Sequence, residues 1–308
     1  MWQDKRVLVT GGAGVIGRVL VQKLAGLGAK VISIDREPVQ VPFIGATHLV
    51  GNVLVYLYES EQQEIVFHLA ASFGKTEIEQ GFFEENFYNN VDLTHKLLVS
   101  SRYGKWEKFI FASSYLVYDP LLYLWNDTHF LKESDRISPR NIVGAAKYYT
   151  ENELDFVCQD EKMLGISARI FRVYGRGSKD IISRTVQKAL RDEVITAWGE
   201  NARFDYILAD DVAEGLIKLA EVDFPTTAVN LGTGRARSFR DVLTIIRELM
   251  PNNNITISHI DVAGHPIENS RADVSLLKEL TGWTPTTPLE VGIRKVIEYE
   301  REQLQNSS

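Results

Sequence analysis

The chain has 308 residues, of which 44% are hydrophobic and 24% charged, with a formal net charge of -7. This is the composition of a globular protein, and it excludes a collagen-like repeat, a coiled coil and a disordered chain. The acidic balance, with a pI near 5.5, excludes a molecule that holds nucleic acid by bulk charge.

Residues 6–10 (RVLVT) form a short apolar, β-branched run and predict a buried strand. Gly11, Gly14 and Gly17 follow at GxxGxxG spacing. Residues 15–27 then carry apolar side chains at helical spacing, with Gly26 and Gly28 as the stop signal. Residues 31–34 (VISI) predict a second strand, closed by Asp35. Glycines let a turn tighten and let backbone N–H groups approach a pyrophosphate, and the following helix N-terminus adds a favourable dipole. A glycine motif alone is weak. Between a strand and a helix, with an acid 18 residues past Gly17, it predicts a dinucleotide site. The Asp35 carboxylate suits both ribose hydroxyls and repels a 2′-phosphate, which favours NAD over NADP, although Arg36 beside it works the other way. A plain packing turn at the glycines and a strand-end turn at Asp35 are the bland alternatives.

The alternation continues with strands at 65–70, 108–112 and 165–171 and helices at 90–102 and 144–157. Strands alternating with helices predict an α/β fold, a Rossmann-type doubly wound parallel sheet. Beyond about residue 175 the pattern loosens: helices at 180–191, 210–221, 238–250 and 289–302, and a strand at 229–231. Ser238 and Asp241 have the spacing of a capping box. We read residues 1–175 as the dinucleotide-binding domain and 176–308 as a smaller substrate lobe, partly interleaved with it. Residues 119–131 (DPLLYLWNDTHFL) read either as a surface loop with a small apolar patch or as a segment folded over the site.

Cys158 is the one cysteine, so no intrachain disulfide forms and no thiolate cluster holds a metal. No two of the six histidines stand at i, i+4, and no metal is expected. No run of roughly 18 apolar residues marks a membrane span. The opening residues lead straight into a strand, so the expectation is a cytoplasmic protein without a signal peptide or a membrane partner.

The motifs resemble those of the extended short-chain dehydrogenases/reductases. The resemblance is carried by residues 11–17, His68-Leu69-Ala70-Ala71, Asn90-Val91-x-x-Thr94 and Ser113-Ser114-x-x-Val117-Tyr118. It continues through Arg169-x-Phe171-x-Val173-Tyr174-Gly175, Asp211-Val212-Ala213, Asn230-Leu231-Gly232-Thr233-Gly234 and Gly282-Trp283-x-Pro285, in family order over nearly the whole chain. It implies NAD as cofactor and a nucleotide-diphosphate sugar as substrate. The cofactor residues it implies are Gly11, Gly14, Val15, Ile16, Gly17, Asp35, Arg36, Asn52, Val53, Leu69, Ala70, Ala71 and Lys147. Asn52-Val53 stands where the family has an Asp-Val pair at the adenine. A homodimer is implied too, built on the helices at 90–102 and 144–157.

The resemblance also implies the catalytic set. A serine, here Ser114, bonds the reacting hydroxyl. A tyrosine takes its proton, and a lysine four residues later, here Lys147, holds the nicotinamide ribose and lowers the phenol pKa. The run Pro139-x-x-x-Val143-Gly144-x-x-Lys147 places Val143 at the tyrosine, and valine has no acid–base chemistry. None of the 12 tyrosines has lysine at i+4. Tyr115, Tyr123, His129, Tyr148 and Tyr149 are weak stand-ins. Tyr115, read as lying on a strand, is expected to face away from Ser114. Tyr115-Leu116 replaces the Asp-Glu of the family's dehydratases and the glutamate of its decarboxylases, which leaves epimerase or simple oxidoreductase. Two positions that meet the substrate diphosphate are changed, to Arg172 for asparagine and Phe204 for arginine. Arg172, Arg176, Arg203 and Arg271 form an expected cationic set for that diphosphate. The alternatives are a cofactor- or ligand-binding protein with little turnover, and an NADP reductase of a non-sugar carbonyl.

Overall fold

The computed structural model describes residues 1–56, 63–72, 80–104, 106–124, 129–224, 227–260 and 267–306. In its first half, strands β1 (Arg6–Thr10), β2 (Lys30–Asp35), β3 (Ala46–Val50), β4 (Ile65–His68), β5 (Lys108–Ser114) and β6 (Leu164–Ile170) alternate with helices. Those helices are α1 (Val15–Gly26), the short α2 (Val53–Tyr56), α3 (Phe82–Asn86), α4 (Leu93–Ser100) and α5 (Ile142–Glu161). A π-helical turn, Phe87–Asp92, joins α3 to α4.

The second half contributes β7 (Arg172–Tyr174), α6 (Ile181–Leu190), β8 (Ile195–Trp198), β9 (Arg203–Leu208), α7 (Ala209–Ala220), β10 (Thr227–Leu231) and β11 (Ala236–Ser238). It ends with α8 (Phe239–Leu249), β12 (Ile257–Ile260), β13 (Asn269–Ser270), α9 (Ser275–Thr281) and α10 (Leu289–Asn306).

The central sheet has seven strands in the order β10-β6-β5-β4-β1-β2-β3, and every pairing is parallel. The expected Rossmann-type architecture is present. Alternation along β1 explains the layering: Val7 and Val9 face Leu20, Leu24 and the α7 residues Val212 and Leu216. Leu8 faces the opposite layer with Leu97, Phe109 and Leu154. Burial on both faces is why these strands read as continuous apolar runs. The order reverses between β1 and β4, and that is where an open α/β sheet leaves a crevice at its carboxyl edge. β10 lies beyond residue 175 and yet extends the central sheet next to β6. A separate core of Ile182, Val186, Val242, Ile246, Ile293 and Val296 packs α6, α8 and α10 together, whereas α7 and α9 join the core of the central sheet.

The helix expected at 90–102 instead begins at Phe82 and passes through the π turn. A π turn shifts the phase of the side chains, so the 3.6-residue period breaks at the point where sequence reading starts. Helix α5 runs from Ile142 to Glu161, past the expected 144–157; its last turn (Cys-Gln-Asp-Glu) is mostly polar and carries no apolar stripe by which a sequence reading could follow it. The capping box at Ser238 and Asp241 is formed, with both backbone N–H groups satisfied reciprocally at 3.1 and 2.9 Å.

In the described parts of residues 119–131, that is 119–124 and 129–131, the chain is tied into the core rather than lying as a plain surface loop, although Leu121 and Phe130 stay exposed. Tyr123 and Leu131 are fully buried, in one cluster with Tyr115, Tyr118, Phe171 and Ala272. Backbone bridges from Leu124 to Glu268 and from Leu131 to Ala272 tie the segment down, which the chain separation hides from sequence reading. Residues 125–128 lie outside the described residues. Among the described residues no helix is long and apolar enough to cross a membrane.

Candidate functional site

At the switch point a groove of about 190 Å³ opens between the ends of β1, β2 and β4. Its walls bring together Gly11, Gly14, Asp35, Arg36, Asn52, Val53, Leu69, Ala70 and Ala71, residues up to 60 positions apart in the chain. Thr10, Asn89 and Leu93 also line it and were not anticipated. Asn89 sits in the π turn, whose phase could not be read from the sequence.

The glycine turn is built for close approach. Gly11 has φ +74°, and a Cβ there would stand 2.7 Å from the Ala70 backbone nitrogen. A Cβ on Gly17 would stand 2.1 Å from the Gly11 carbonyl oxygen, so this glycine lets α1 start directly against the turn. Helix α1 has Gly14 as N-cap, no side-chain cap and no acid in its first turn. Its first N–H groups, on Val15, Ile16 and Gly17, are therefore open to an anion. Asp35 is oriented by two backbone donors, Ala13 N–H at 3.0 Å and Glu37 N–H at 3.1 Å, and keeps further lone pairs for a ligand. Asn52 uses its side-chain oxygen on Leu54 N–H at 3.0 Å, so that oxygen starts helix α2 besides lining the groove. The side chain of Asn90 bonds both backbone groups of Ser72, at 2.7 and 3.1 Å, and anchors the chain after Ala71.

Ser114 closes β5 at the same carboxyl edge of the sheet, and Lys147 sits on α5 with its amine over Phe111 of β5. β5 ends at Ser114, whose hydroxyl accepts the Leu116 N–H at 3.2 Å and starts a 3-10 turn, Tyr115–Val117. Helix α5 begins against that turn: a Cβ on Gly144 would stand 2.3 Å from the Leu116 carbonyl oxygen. Asn141 caps the helix by accepting the Gly144 N–H at 2.9 Å. This packing sets the buried face of α5, with Val143, Lys147 and Glu151 in succession. Lys147 is only 3% exposed, and its Nζ lies 4.6 Å from the centre of the Phe111 ring. Burial draws its pKa down to about 7, with Glu151 opposing the shift.

Glu151 is itself fully engaged. It accepts from Ser113 Oγ at 2.5 Å and from Arg169 Nε and Nη2 at 3.0 and 2.7 Å. Arg169 also donates to Tyr118 at 3.1 Å, and Tyr118 donates to Asn230 at 2.7 Å. In the sequence Arg169 and Asn230 stand out only as motif members. Their adjacency in the β10–β6 register was the missing signal.

Tyr115 does not follow strand alternation, because the strand has already ended. It is buried, stacks on Phe171, and donates to Glu268 at 3.0 Å. Burial and the Glu268 charge push its phenol up to about 12. Tyr123 packs beside it. His129 is bound to Asp135 at 2.7 Å. Tyr148 and Tyr149 are exposed on another face of α5.

The four arginines do not form one cluster. Arg172 hydrogen-bonds the Tyr115 phenol and lies over the Phe204 ring at 4.2 Å. Arg271 lies over Phe130 at 3.6 Å. Arg203 is exposed. Arg176 lines a larger cavity of about 660 Å³ on the outer flank of α1, with Arg18, Asp210 and Tyr299. That cavity takes in Val15 but not Gly11, Gly14 or Asp35, which the smaller groove gathers, so the smaller groove is the candidate cofactor site; neither of the two is lined by Ser114 or Lys147. Arg140, which sequence reading missed, bonds Glu268 at 2.7 Å from the other side of Tyr115.

His68, at the end of β4, is fully buried between Thr10 at 2.6 Å and Thr94 at 2.9 Å. Burial, aided by the Lys147 charge, lowers its pKa to about 3, so the native state holds it neutral. Its contribution is whole above the unfolded value near 6.5 and is lost as pH falls from there toward 3. Urea unfolding between pH 6.5 and 5 is therefore expected to lose stability at up to about 1.4 kcal/mol per pH unit from this group. His68→Gln should flatten that slope; an unchanged slope would contradict a neutral buried imidazole.

A parallel sheet with a glycine-lined crevice at its switch point and an acid at the end of β2 defines a dinucleotide-binding protein of Rossmann type. More particularly, the chain belongs to the NAD dependent epimerase/dehydratase family, whose model matches residues 7–232. It is 28% identical to a UDP-N-acetyl-alpha-D-glucosaminuronate decarboxylase of Bacillus cytotoxicus, covering 97% of this chain and 98% of that one. It is 26% identical to GDP-mannose 3,5-epimerase 1 of Oryza sativa subsp. indica, covering 97% and 82%. Among solved structures it resembles MoeE5 in complex with UDP-glucose and NAD, with a TM-score of 0.85 and 28% identity over 97% of this chain and 99% of that one.

Proposed function

We propose that the protein is an NAD-dependent, epimerase-like enzyme acting on the sugar of a nucleotide diphosphate, with Val143 where the family carries its catalytic tyrosine. One observation carries this reading: the groove of Gly11, Asp35 and Ala70 opens at the carboxyl edge of the sheet at which β5, the neighbour of β4, ends in Ser114. The residues present fit the cofactor, because the turn excludes any Cβ at Gly11 and the first turn of α1 offers uncapped N–H groups. In this reading Gly11, Gly14, Val15, Ile16 and Gly17 hold the pyrophosphate. Asp35 and Arg36 meet the adenosine ribose, Asn52 and Val53 the adenine, and Leu69, Ala70 and Ala71 the wall of the groove. Lys147 holds the nicotinamide ribose and Ser114 the reacting hydroxyl. Bound NAD supplies the acceptor for a hydride from a sugar carbon. Arg172, Arg203 and Arg271 are the cations on offer to the substrate diphosphate. Leu116, an aliphatic where the decarboxylases carry glutamate, sets the chain apart from its decarboxylase relatives.

Purified protein incubated with NAD and a panel of UDP- and GDP-sugars, followed by nicotinamide absorbance and product analysis, is expected to show slow conversion. Ser114→Ala and Lys147→Ala should each lower it by about 100-fold or more. Conversion that survives both changes would remove these residues from the site. Val143 favours a second reading, a cofactor-binding protein with little turnover. It would be supported if the wild type binds NAD yet converts nothing while Val143→Tyr gains activity.

We also propose that two copies pair through the α3–α4 and α5 faces. Phe83 and Phe87 are 62% and 54% exposed there, beside a shallow apolar groove that includes Ile142 and Tyr149. A monomer mass in sedimentation at micromolar concentration would contradict this.

A further inference from the structure

The cavity of about 660 Å³ on the outer flank of α1 backs onto the cofactor groove. Two of its residues, Ala13 and Val15, flank Gly14 of the groove, and a third, Glu37, follows Arg36. The backbone N–H groups of Ala13 and Glu37 hold the Asp35 carboxylate, at 3.0 and 3.1 Å. The far side of the cavity comes from the second half of the chain: Arg176 after β7, Asp210 of α7 and Tyr299 of α10. Small-molecule pockets run from about 300 to 1,000 Å³ and are mostly apolar with a few placed polar groups. This cavity has that size, and Val19, Val39, Val41 and Phe43 supply an apolar wall.

Arg18, Lys23 and Arg176 line it together with the acids Glu37 and Asp210, and their pairing is uneven. Lys23 is bound to Glu214 at 2.8 Å. Asp210 is shared by Lys295 at 3.2 Å and Arg176 at 3.5 Å. Arg18 is half-buried and donates to the Arg176 carbonyl, and among the described residues no carboxylate pairs with it. Its two terminal nitrogens and the Tyr299 hydroxyl lie 3.1, 3.1 and 3.0 Å from the point that a Cβ on Gly177 would occupy, so they converge over that glycine, whose φ is +63°. A guanidinium beside a phenol, with no carboxylate of its own, is a donor set for an anion.

The wall next to Asp35 has room to adjust. Among the described residues, 38–42 form no hydrogen bond. The last fixed point before them is Glu37, whose carbonyl accepts from His48 Nε2 at 3.2 Å. A ligand can draw this run inward without breaking a hydrogen bond within it, and the run is joined to a residue that orients Asp35.

We propose that this cavity is an effector site for a small molecule with an apolar body and one anionic group, and that its occupancy changes the affinity of the groove for the cofactor. The coupling rests on the cofactor reading of the groove and not on turnover. The apolar wall takes the body of the ligand, Arg18 and Tyr299 take the anion, and Ala13 and Glu37 carry the effect to Asp35. Carboxylates, sulfonates and phosphate esters with an apolar body share this chemistry.

Two fluorescent probes test this on the full chain: anilinonaphthalene sulfonate, an aromatic anion, and phenylnaphthylamine, the same ring system without the charge. The sulfonate should bind in the presence of saturating NAD, and the uncharged amine about 10-fold or more weakly, the scale of a lost charge-assisted hydrogen bond. Arg18→Gln should weaken the sulfonate to the same extent, and Arg18→Lys should recover most of that loss. Val39→Glu sets a like charge in the wall at a position without hydrogen bonds, and should abolish sulfonate binding. By calorimetry, saturating sulfonate should shift the NAD affinity by about fivefold or more, and saturating NAD should shift the sulfonate affinity by the same factor, because coupling between sites is reciprocal. Equal sulfonate affinity in the wild type and the Gln and Glu variants, equal affinity for the two probes, complete displacement of the sulfonate by NAD, or an NAD affinity unmoved by the sulfonate overturns the proposal and leaves the enzyme reading intact. A wild type that takes up no NAD defeats the cofactor reading and the effector role with it, and is told apart because the sulfonate is then still held through Arg18.

Discussion

Replacing Gly17 by alanine is expected to weaken NAD binding by about 100-fold, close to 2.7 kcal/mol. The added Cβ would meet the Gly11 carbonyl oxygen at 2.1 Å, the Gly12 Cα at 2.7 Å and the Gly11 carbonyl carbon at 3.0 Å. All three are backbone atoms, so no side chain can swing aside. Either α1 withdraws from the turn or the turn opens, and each movement takes the first N–H groups of the helix away from a bound pyrophosphate. Overpacking of this kind costs roughly 1–3 kcal/mol, and here the cost falls on the ligand geometry. Gly26, in the last turn of the same helix, is the control. A Cβ there meets nothing within 4 Å, so Gly26→Ala should bind NAD normally. Calorimetric titration of both variants decides the matter, and a Gly17→Ala protein that binds within threefold of the wild type would mean that the turn is not the cradle.

The glycine turn was legible in the sequence because its chemistry is local: strand, turn, helix and acid follow one another within 30 residues. Ala70 and Ala71 were legible through motif resemblance. The groove's remaining walls were not. Asn89 reaches it from a π turn that breaks the helical period, and Leu93 from the first turn of α4 just beyond it. The same limit explains Tyr123, whose burial depends on bridges to residues more than 140 positions away. It explains the ion pair of Arg140 with Glu268 across 128 positions as well. Short strands such as β8 and β12, four residues each, pair with one another and carry too few side chains for a period to show. The chemistry at Val143 was readable from a single spacing. What surrounds Lys147 needed the packing of α5 on β5 and β6.

Arg169→Met is expected to be the most destabilising single change, by about 3–5 kcal/mol, because it removes one partner of a buried ion pair. Arg169 and Glu151 are each 5% exposed, and the methionine would leave the carboxylate with only the Ser113 hydroxyl. The loss spreads further, since the guanidinium also bonds Tyr118 and the backbone carbonyl of Glu133, each at 3.1 Å. Through Tyr118 and Asn230 these contacts join α5, β6 and β10 to the segment around Leu131. For a domain of this size such a loss corresponds to a fall in Tm of roughly 6–20 °C. Replacing both residues, Glu151→Met with Arg169→Met, removes the stranded charge and should restore most of the stability, the Ser113 hydroxyl being the group then left without its acceptor. Because Glu151 lies one turn beyond Lys147 and opposes the fall of its pKa, the double variant should also hold Lys147 neutral to a lower pH. Thermal unfolding of the two single variants and the double one closes the cycle. A single Arg169→Met loss below about 1 kcal/mol would show that the pair is not the keystone of this layer, since that is the scale of a solvent-exposed bridge.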